Sequence, residues 1–181
     1  MSIEKITHIF TGRAITVNVE EVRLPNDHVA TLDMVHHPGG AAIMALDDAG
    51  CVCLVRQYRH AANGYIWEFP AGKIDNKEPP LQTAKRELEE EAGRRAREWR
   101  SLGDFLPSPG FLTEVVHLFL ATGLTEVSNR LEASEVLEAH WLPFDQVLQM
   151  AQSGELRDGK TLAALLRAAP YVQPPARQLA L

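Results

Sequence analysis

Cysteine is scarce in this chain: Cys51 and Cys53 are the two present, two positions apart in a strand-like apolar run. Strand residues so spaced face the same side and make a poor disulfide pair, so core thiols in a reducing cytosol are expected rather than a disulfide staple or a metal role. Long apolar runs are missing as well. No stretch approaches the roughly 20 residues of a membrane span, and the N-terminal MSIEKITHIF carries an acidic residue. A cytoplasmic protein without a membrane partner is expected. Nor is there a surplus of positive charge: 18 Lys and Arg stand against 24 Asp and Glu, a formal net charge of -6. That balance opposes a protein that coats nucleic-acid phosphates, while leaving room for a small anion held through metal ions. The histidines have no zinc-ligand spacing, and adjacent His36 and His37 face opposite sides of any strand they occupy. No Ser-rich or Gly-rich linker and no repeat divides the 181 residues, and 45% hydrophobic content suits one domain with a genuine core.

What is present is alternation. AITVNVEEVRL and VATLDMV, separated by the turn LPND, predict an antiparallel N-terminal section within residues 1–38. In the main section, 39–170, AAIMAL and CVCLVRQY flank DDAG, a hairpin signal, and YIWEFPAG adds a short strand ending in a Pro-Ala-Gly loop. WRSLGDFLP, EVVHLFLAT and EVLEAHWLP read as further strands, and DQVLQMAQSG and GKTLAALLRAAP as helices; residues 171–181 read as a loosely held tail. The class is α/β, with a mixed or antiparallel sheet.

The stretch RELEEEAG, residues 86–93, crowds Glu87, Glu89, Glu90 and Glu91 before Gly93. On a helix, acidic residues three or four apart repel by about 0.2–0.5 kcal/mol per pair, and the C-terminal end is itself partly negative. Either Lys85, Arg86 and Arg95 neutralise Glu89, Glu90 and Glu91 on a solvated face, or the carboxylates hold a divalent cation. Pro79 and Pro80 in a first turn, the stripe Leu81, Ala84, Leu88 and Ala92, and Gly93 as a stop predict a helix over 79–92. Glu87, Glu90 and Glu91 then fall within about a 100° arc, with Glu89 pointing elsewhere. A strand delivering the Ala71 carbonyl beside Glu87 and Glu91 completes a hard-oxygen cage of the kind Mg²⁺ takes. Gly72 is expected to let the chain leave that strand in a conformation other residues resist, and Glu78 to return toward the helix start.

The spacing from Gly72 onward is Gly, five residues, Glu78, seven residues, then Arg-Glu-Leu-x-Glu-Glu-x-Gly. It resembles the Nudix box in all but its last position, where Arg94 stands in place of an apolar residue. The resemblance implies a Nudix-type α/β/α sandwich with a mixed sheet and hydrolysis of a nucleoside diphosphate linked to another group. It also implies Mg²⁺, or Mn²⁺ in its place, on Ala71, Glu87, Glu90 and Glu91, with Arg86 orienting the carboxylates.

VRQYRHAANGYIWEFPAGKID before the box and FLPSPGFLTE after it, with Pro109 sixteen positions beyond Gly93, are similar to the branch that cleaves ADP-ribose and related nucleoside diphosphate sugars. The expected reaction is ADP-ribose to AMP and ribose 5-phosphate. GDP-mannose or ADP-glucose hydrolysis, or a non-cleaving ligand-binding regulator, are the alternatives. Arg59, and second Arg56, offer guanidinium forks for phosphate, and Glu68, Pro109 and Glu114 complete the expected substrate contacts. In this branch a loop glutamate after the box often serves as general base; in NRLEASEVLEAHW, Glu135 matches best and Glu132 second. The branch also implies a homodimer whose N-terminal strands cross to the partner. That fits ITVNVEEV, whose apolar alternation leaves a strand edge needing cover.

Overall fold

The computed structural model describes residues 2–128 and 136–172. It begins with a separate antiparallel sheet of β1 (Ser2–Thr11), β2 (Thr16–Arg23) and β3 (Val29–His36), in that order. The turn between β2 and β3 is the expected one, closed by Leu24 N–H donating to the His28 carbonyl. β1 starts well before the region where alternation is legible, because register shifts at Ile3/Lys5 and His8/Phe10 break its two-residue period. Every residue of β1 is exposed, including Ile3, Ile6, Ile9 and Phe10.

Two further sheets form the main body. One is mixed, ordered β7 (Ala71–Lys73), β4 (Gly40–Ala45), β9 (Val116–Glu126), β8 (Arg94–Phe105), with β4 and β9 parallel. The other is antiparallel, ordered β10 (Leu137–Pro143), β5 (Cys51–Arg59), β6 (Gly64–Glu68). The helices are α1 (Pro80–Ala92), α2 (Phe144–Ser153) and α3 (Gly159–Ala168). Among the described residues no helix is long and apolar enough to cross a membrane.

The predicted β4–β5 hairpin is realised only at its tip. Asp47 Oδ1 accepts from Ala49 N and Cys51 N, but Leu46 and Val52 form the single bridge before the strands part into different sheets. The reason is edge occupancy: β4 is already hydrogen-bonded to β7 on one side and β9 on the other, so β5 has no ladder to join. The Pro-Ala-Gly segment is likewise more than a loop. Buried Phe69 and Pro70 carry the chain from β6 into the second sheet, where Ala71 and Gly72 are already part of β7.

β4 is buried along its whole length, and its two-residue period sorts the layers. Ala41, Ile43 and Ala45 pack with Ala84, Leu88 and Ala92 of α1, whereas Ala42 and Met44 pack with Leu118, Val147, Ala164 and Leu165, reaching α2 and α3. This is the α/β/α sandwich. Cys53 lies in the α1 cluster and Cys51 at the half-exposed start of β5; both thiols are free.

Candidate active site

α1 carries two carboxylates on its buried face. It opens at Pro79 and Pro80 without a side-chain cap and stops at Gly93, whose φ of 58° suits glycine and whose N–H bonds back to Glu89 and Leu88 carbonyls. Between these ends Glu87 is 6% exposed and Glu91 1%, in line with Ala84 and Leu88. Burying carboxylates without compensation is costly, so their partners are informative. Glu91 Oε2 accepts from Ala71 N at 2.9 Å, which ties the helix to the start of β7. Glu87 Oε1 accepts from Arg86 Nη1 at 2.6 Å.

Arg86 is the organising cation. Its Nη1 also donates to Glu90 Oε2 at 3.0 Å, and its Nη2 to Glu78 Oε1 at 3.1 Å and the Lys73 carbonyl at 3.2 Å. Burial opposes its charge, but Glu87, Glu78 and Glu90 outweigh that and hold its pKa above the usual arginine range. Burial similarly pushes the Glu78 carboxyl up, yet hydrogen bonds from Thr83 and Arg86 prevail and leave it below the ordinary range. Arg86 thus fastens the loop before α1 to the acidic face. Behind that face the Cys53 thiol is pushed up to about 12 by burial and then by Glu91, against the opposing pull of Arg94, so it stays protonated and inert.

The role of Gly72 differs from the one expected. Its φ is not positive, so no special backbone conformation is involved. A Cβ at this position would lie 1.8 Å from Glu87 Oε1 and 2.1 Å from its Cδ. Glycine is required as the seat of the Glu87 carboxylate.

These groups line a cleft of about 610 Å³ between β7, α1, the start of β9 and the first turn of α3. Ala71, Gly72, Arg86, Glu87, Glu90 and Glu91 form one wall, and Arg59, Glu114, Asp158 and Lys160 also line it. Among the described residues no three His, Cys, Asp or Glu side chains stand ready-made as a metal cage. The donor set nevertheless fits a divalent cation: hard oxygens only, from two nearly buried carboxylates, a third carboxylate and a backbone carbonyl, with a glycine cradle that leaves one carboxylate its space. Glu87, Glu90, Glu91 and the Ala71 carbonyl oxygen are the residues that would hold it.

The remaining sequence candidates divide. Arg59 reaches the cleft with its Nε on Glu68 Oε2 at 2.7 Å. Glu68, 3% exposed, sits behind it and takes Lys160 Nζ on its other oxygen. Glu114 lines the cleft 3.3 Å from His37 Nδ1. Arg56 does not line it; its guanidinium stacks 5.1 Å from the Tyr65 ring centroid on the outer face of β5 and β6. Pro109 is exposed and outside the lining, where Pro107 stands instead. Glu89 points outward as expected, but its arginine partner is Arg95 at 2.7 Å, which lies six positions on and belongs to β8 rather than to the helix. Glu135 and Glu132 lie outside the described residues. Sequence reasoning missed His37, Gln57, Asp158 and Lys160. For Asp158 a signal existed: it caps α3 by accepting from Thr161 N, and an Asp immediately before a helical run marks such a start.

Comparison with known proteins agrees with this geometry. The NUDIX domain description matches residues 36–165. The chain is 39% identical to the ADP-ribose pyrophosphatase of Bacillus subtilis (strain 168), over 87% of this chain and 86% of that one. It is 37% identical to the methanol dehydrogenase activator of Bacillus methanolicus, over 89% and 88%. Among solved structures, one described as an ADP compounds hydrolase superposes with a TM-score of 0.80 at 20% identity, covering 94% of this chain and 92% of that one, which speaks for the fold. With the box residues gathered on one cleft wall, a matching domain description and relatives aligned over most of their length, the chain belongs to the Nudix family.

Proposed function

We propose that this protein is a Mg²⁺-dependent pyrophosphatase, with Mn²⁺ able to substitute, that hydrolyses ADP-ribose to AMP and ribose 5-phosphate. The observation that carries the reading is the pair of nearly buried carboxylates, Glu87 and Glu91, facing a cleft beside the glycine that seats one of them. Similarity to an ADP-ribose pyrophosphatase supports the substrate. Bound divalent ions supply charge neutralisation of the diphosphate and a more acidic attacking water. Around them, Arg86 holds Glu87 and Glu90 in place, Arg59 faces the phosphates, and Glu114 orients substrate from the loop before β9. Glu135, or Glu132 beside it, is the candidate base for the water's proton.

A panel of ADP-ribose, ADP-glucose and GDP-mannose, each with Mg²⁺, Mn²⁺ or EDTA and products resolved in ¹⁸O-labelled water, tests this. ADP-ribose is expected to turn over fastest and EDTA to abolish the reaction. Equal or faster cleavage of another sugar nucleotide would reassign the substrate. The second reading, a non-cleaving regulator, draws on similarity to a protein named for activating an enzyme. Binding of ADP-ribose without any product is the result that would favour it.

We infer further that the protein is a homodimer assembled through β1–β3. β1 is an edge strand, and it exposes Ile3, Ile6, Ile9 and Phe10, an apolar surface that a lone protomer leaves in water. Sedimentation at micromolar concentration is expected to give a dimer, and an exclusively monomeric species would exclude this assembly.

A further inference from the structure

Resting on the reading above, we propose that Lys160 is a diphosphate-binding, specificity-determining residue of the cleft, fixed by Glu68 and Asp158 opposite the carboxylates of α1. Lys160 comes from the first turn of α3, outside the Nudix box, and lines the same cavity as Glu87, Glu90 and Glu91. Its ammonium donates to Glu68 Oε1 at 2.6 Å and to Asp158 Oδ1 at 3.0 Å.

Both anchors are themselves pinned. Glu68 Oε2 is held by Arg59 Nε at 2.7 Å. Asp158 Oδ2 accepts from Thr161 N at 3.0 Å and Thr161 Oγ1 at 2.6 Å, and that hydroxyl oxygen accepts in turn from Phe69 N at 2.8 Å. A lysine normally sweeps a flexible four-carbon stem through solvent; this one is 16% exposed and held at two points.

Arg59 already pairs with Glu68 at salt-bridge distance, so Lys160 is left to balance Asp158, which does not exhaust its hydrogen-bonding capacity. An ammonium carries three donors, and Glu68 and Asp158 take two, so the third is available to a ligand in the cavity. The cleft thus offers Glu87, Glu90, Glu91 and Asp75, with Arg86 and Lys73 among them, on one side and the donors of Lys160 and Arg59, beside Asp158 and Glu114, on the other. A ligand complementary to both sides carries negative charge toward the lysine and cations toward the acids, which describes a metal-bound diphosphate. A nucleoside or sugar lacking phosphate offers Lys160 only neutral acceptors, which bind an ammonium more weakly than phosphate oxygens do, and this sets its part in selectivity.

The test compares the wild type, Lys160→Met and Lys160→Arg, each titrated calorimetrically with the non-hydrolysable α,β-methylene analogue of ADP-ribose in Mg²⁺ and assayed on ADP-ribose. Loss of a charge-assisted bond predicts Kd and KM higher by about 10- to 100-fold in Lys160→Met, with a much smaller change in kcat. Lys160→Arg is expected to recover most of the affinity, which a purely structural defect would not predict. A folded Lys160→Met with unchanged Kd and KM overturns the proposal. Should that variant fail to fold, acetylation of the wild type decides instead: the analogue slows modification of Lys160 if the proposal holds, and leaves its rate unaltered if it does not. A wild type that neither binds the analogue nor cleaves ADP-ribose defeats the substrate reading and this inference together. An active wild type with an indifferent Lys160 defeats this inference alone.

Discussion

Replacing Glu91 by glutamine is expected to lower turnover of ADP-ribose by about 10²- to 10³-fold or more while leaving the protein folded. Glutamine is close to isosteric, and its carbonyl oxygen can still accept from Ala71 N, so the tie between α1 and β7 survives. What disappears is a full negative charge at a position that is 1% exposed. Without metal that charge is a burden, since it is desolvated and lies on the same helix face as Glu87. Melting temperature in EDTA is therefore expected to hold or rise. With Mg²⁺ the comparison should reverse, because a cation that binds only the native state at a hundred times its Kd stabilises by about 2.7 kcal/mol, and the variant forfeits much of that. Glu87→Gln should behave alike in turnover, although the neutral amide also loosens Arg86. Ordinary activity in Glu91→Gln, or an unchanged metal-induced shift in melting, would remove the acidic wall from the mechanism.

Gly72→Ala should be nearly as damaging to activity and more damaging to the fold, although it adds one methyl group. The new Cβ would sit 1.8 Å from Glu87 Oε1, so one of the two must move. β7 has little freedom to yield: Gly72 is paired with Ala41 of β4, and the Gly72 carbonyl already lies 3.0 Å from where a Cβ on Gly40 would stand. The carboxylate is displaced instead, away from the position in which Arg86 holds it. Overpacking of this kind typically costs about 1–3 kcal/mol, and loss of a seated ligand is expected to reduce turnover by about 10²-fold or more. The double substitution Gly72→Ala with Glu87→Ala separates the causes. If the clash is the origin, truncating Glu87 restores stability but not activity, a non-additivity that double-mutant analysis measures directly. Additive stability losses would show that Gly72 serves some other purpose.

Those residues also show how much of the molecule the sequence discloses. Local pattern located α1, its glycine stop and the three carboxylates on one side, because helical period and capping act over a few positions. Pattern could not reveal why Gly72 is glycine: its conflict is with Glu87, fifteen positions on, and exists only after β7 and α1 meet. The same limit hid the parting of β4 from β5. A turn signal reports the turn, whereas the occupancy of β4's edges depends on β7 and β9. Lys160 was invisible for the strongest form of this reason, since its partner Glu68 lies 92 positions away. β1 was partly obscured by its own bulges, which set isoleucines three apart where alternation would have placed them two apart.

The alternating burial of β4 also bears on how such a chain can diverge. Ala41, Ile43 and Ala45 serve the layer that carries the acidic helix, and Ala42 and Met44 serve the layer that presents Lys160. Losing or gaining one residue in the middle of β4 would exchange those assignments and misplace both walls at once. Length variation is therefore expected in connections such as the turn after β2, while this short strand acts as a gauge that keeps the two halves of the pocket in step.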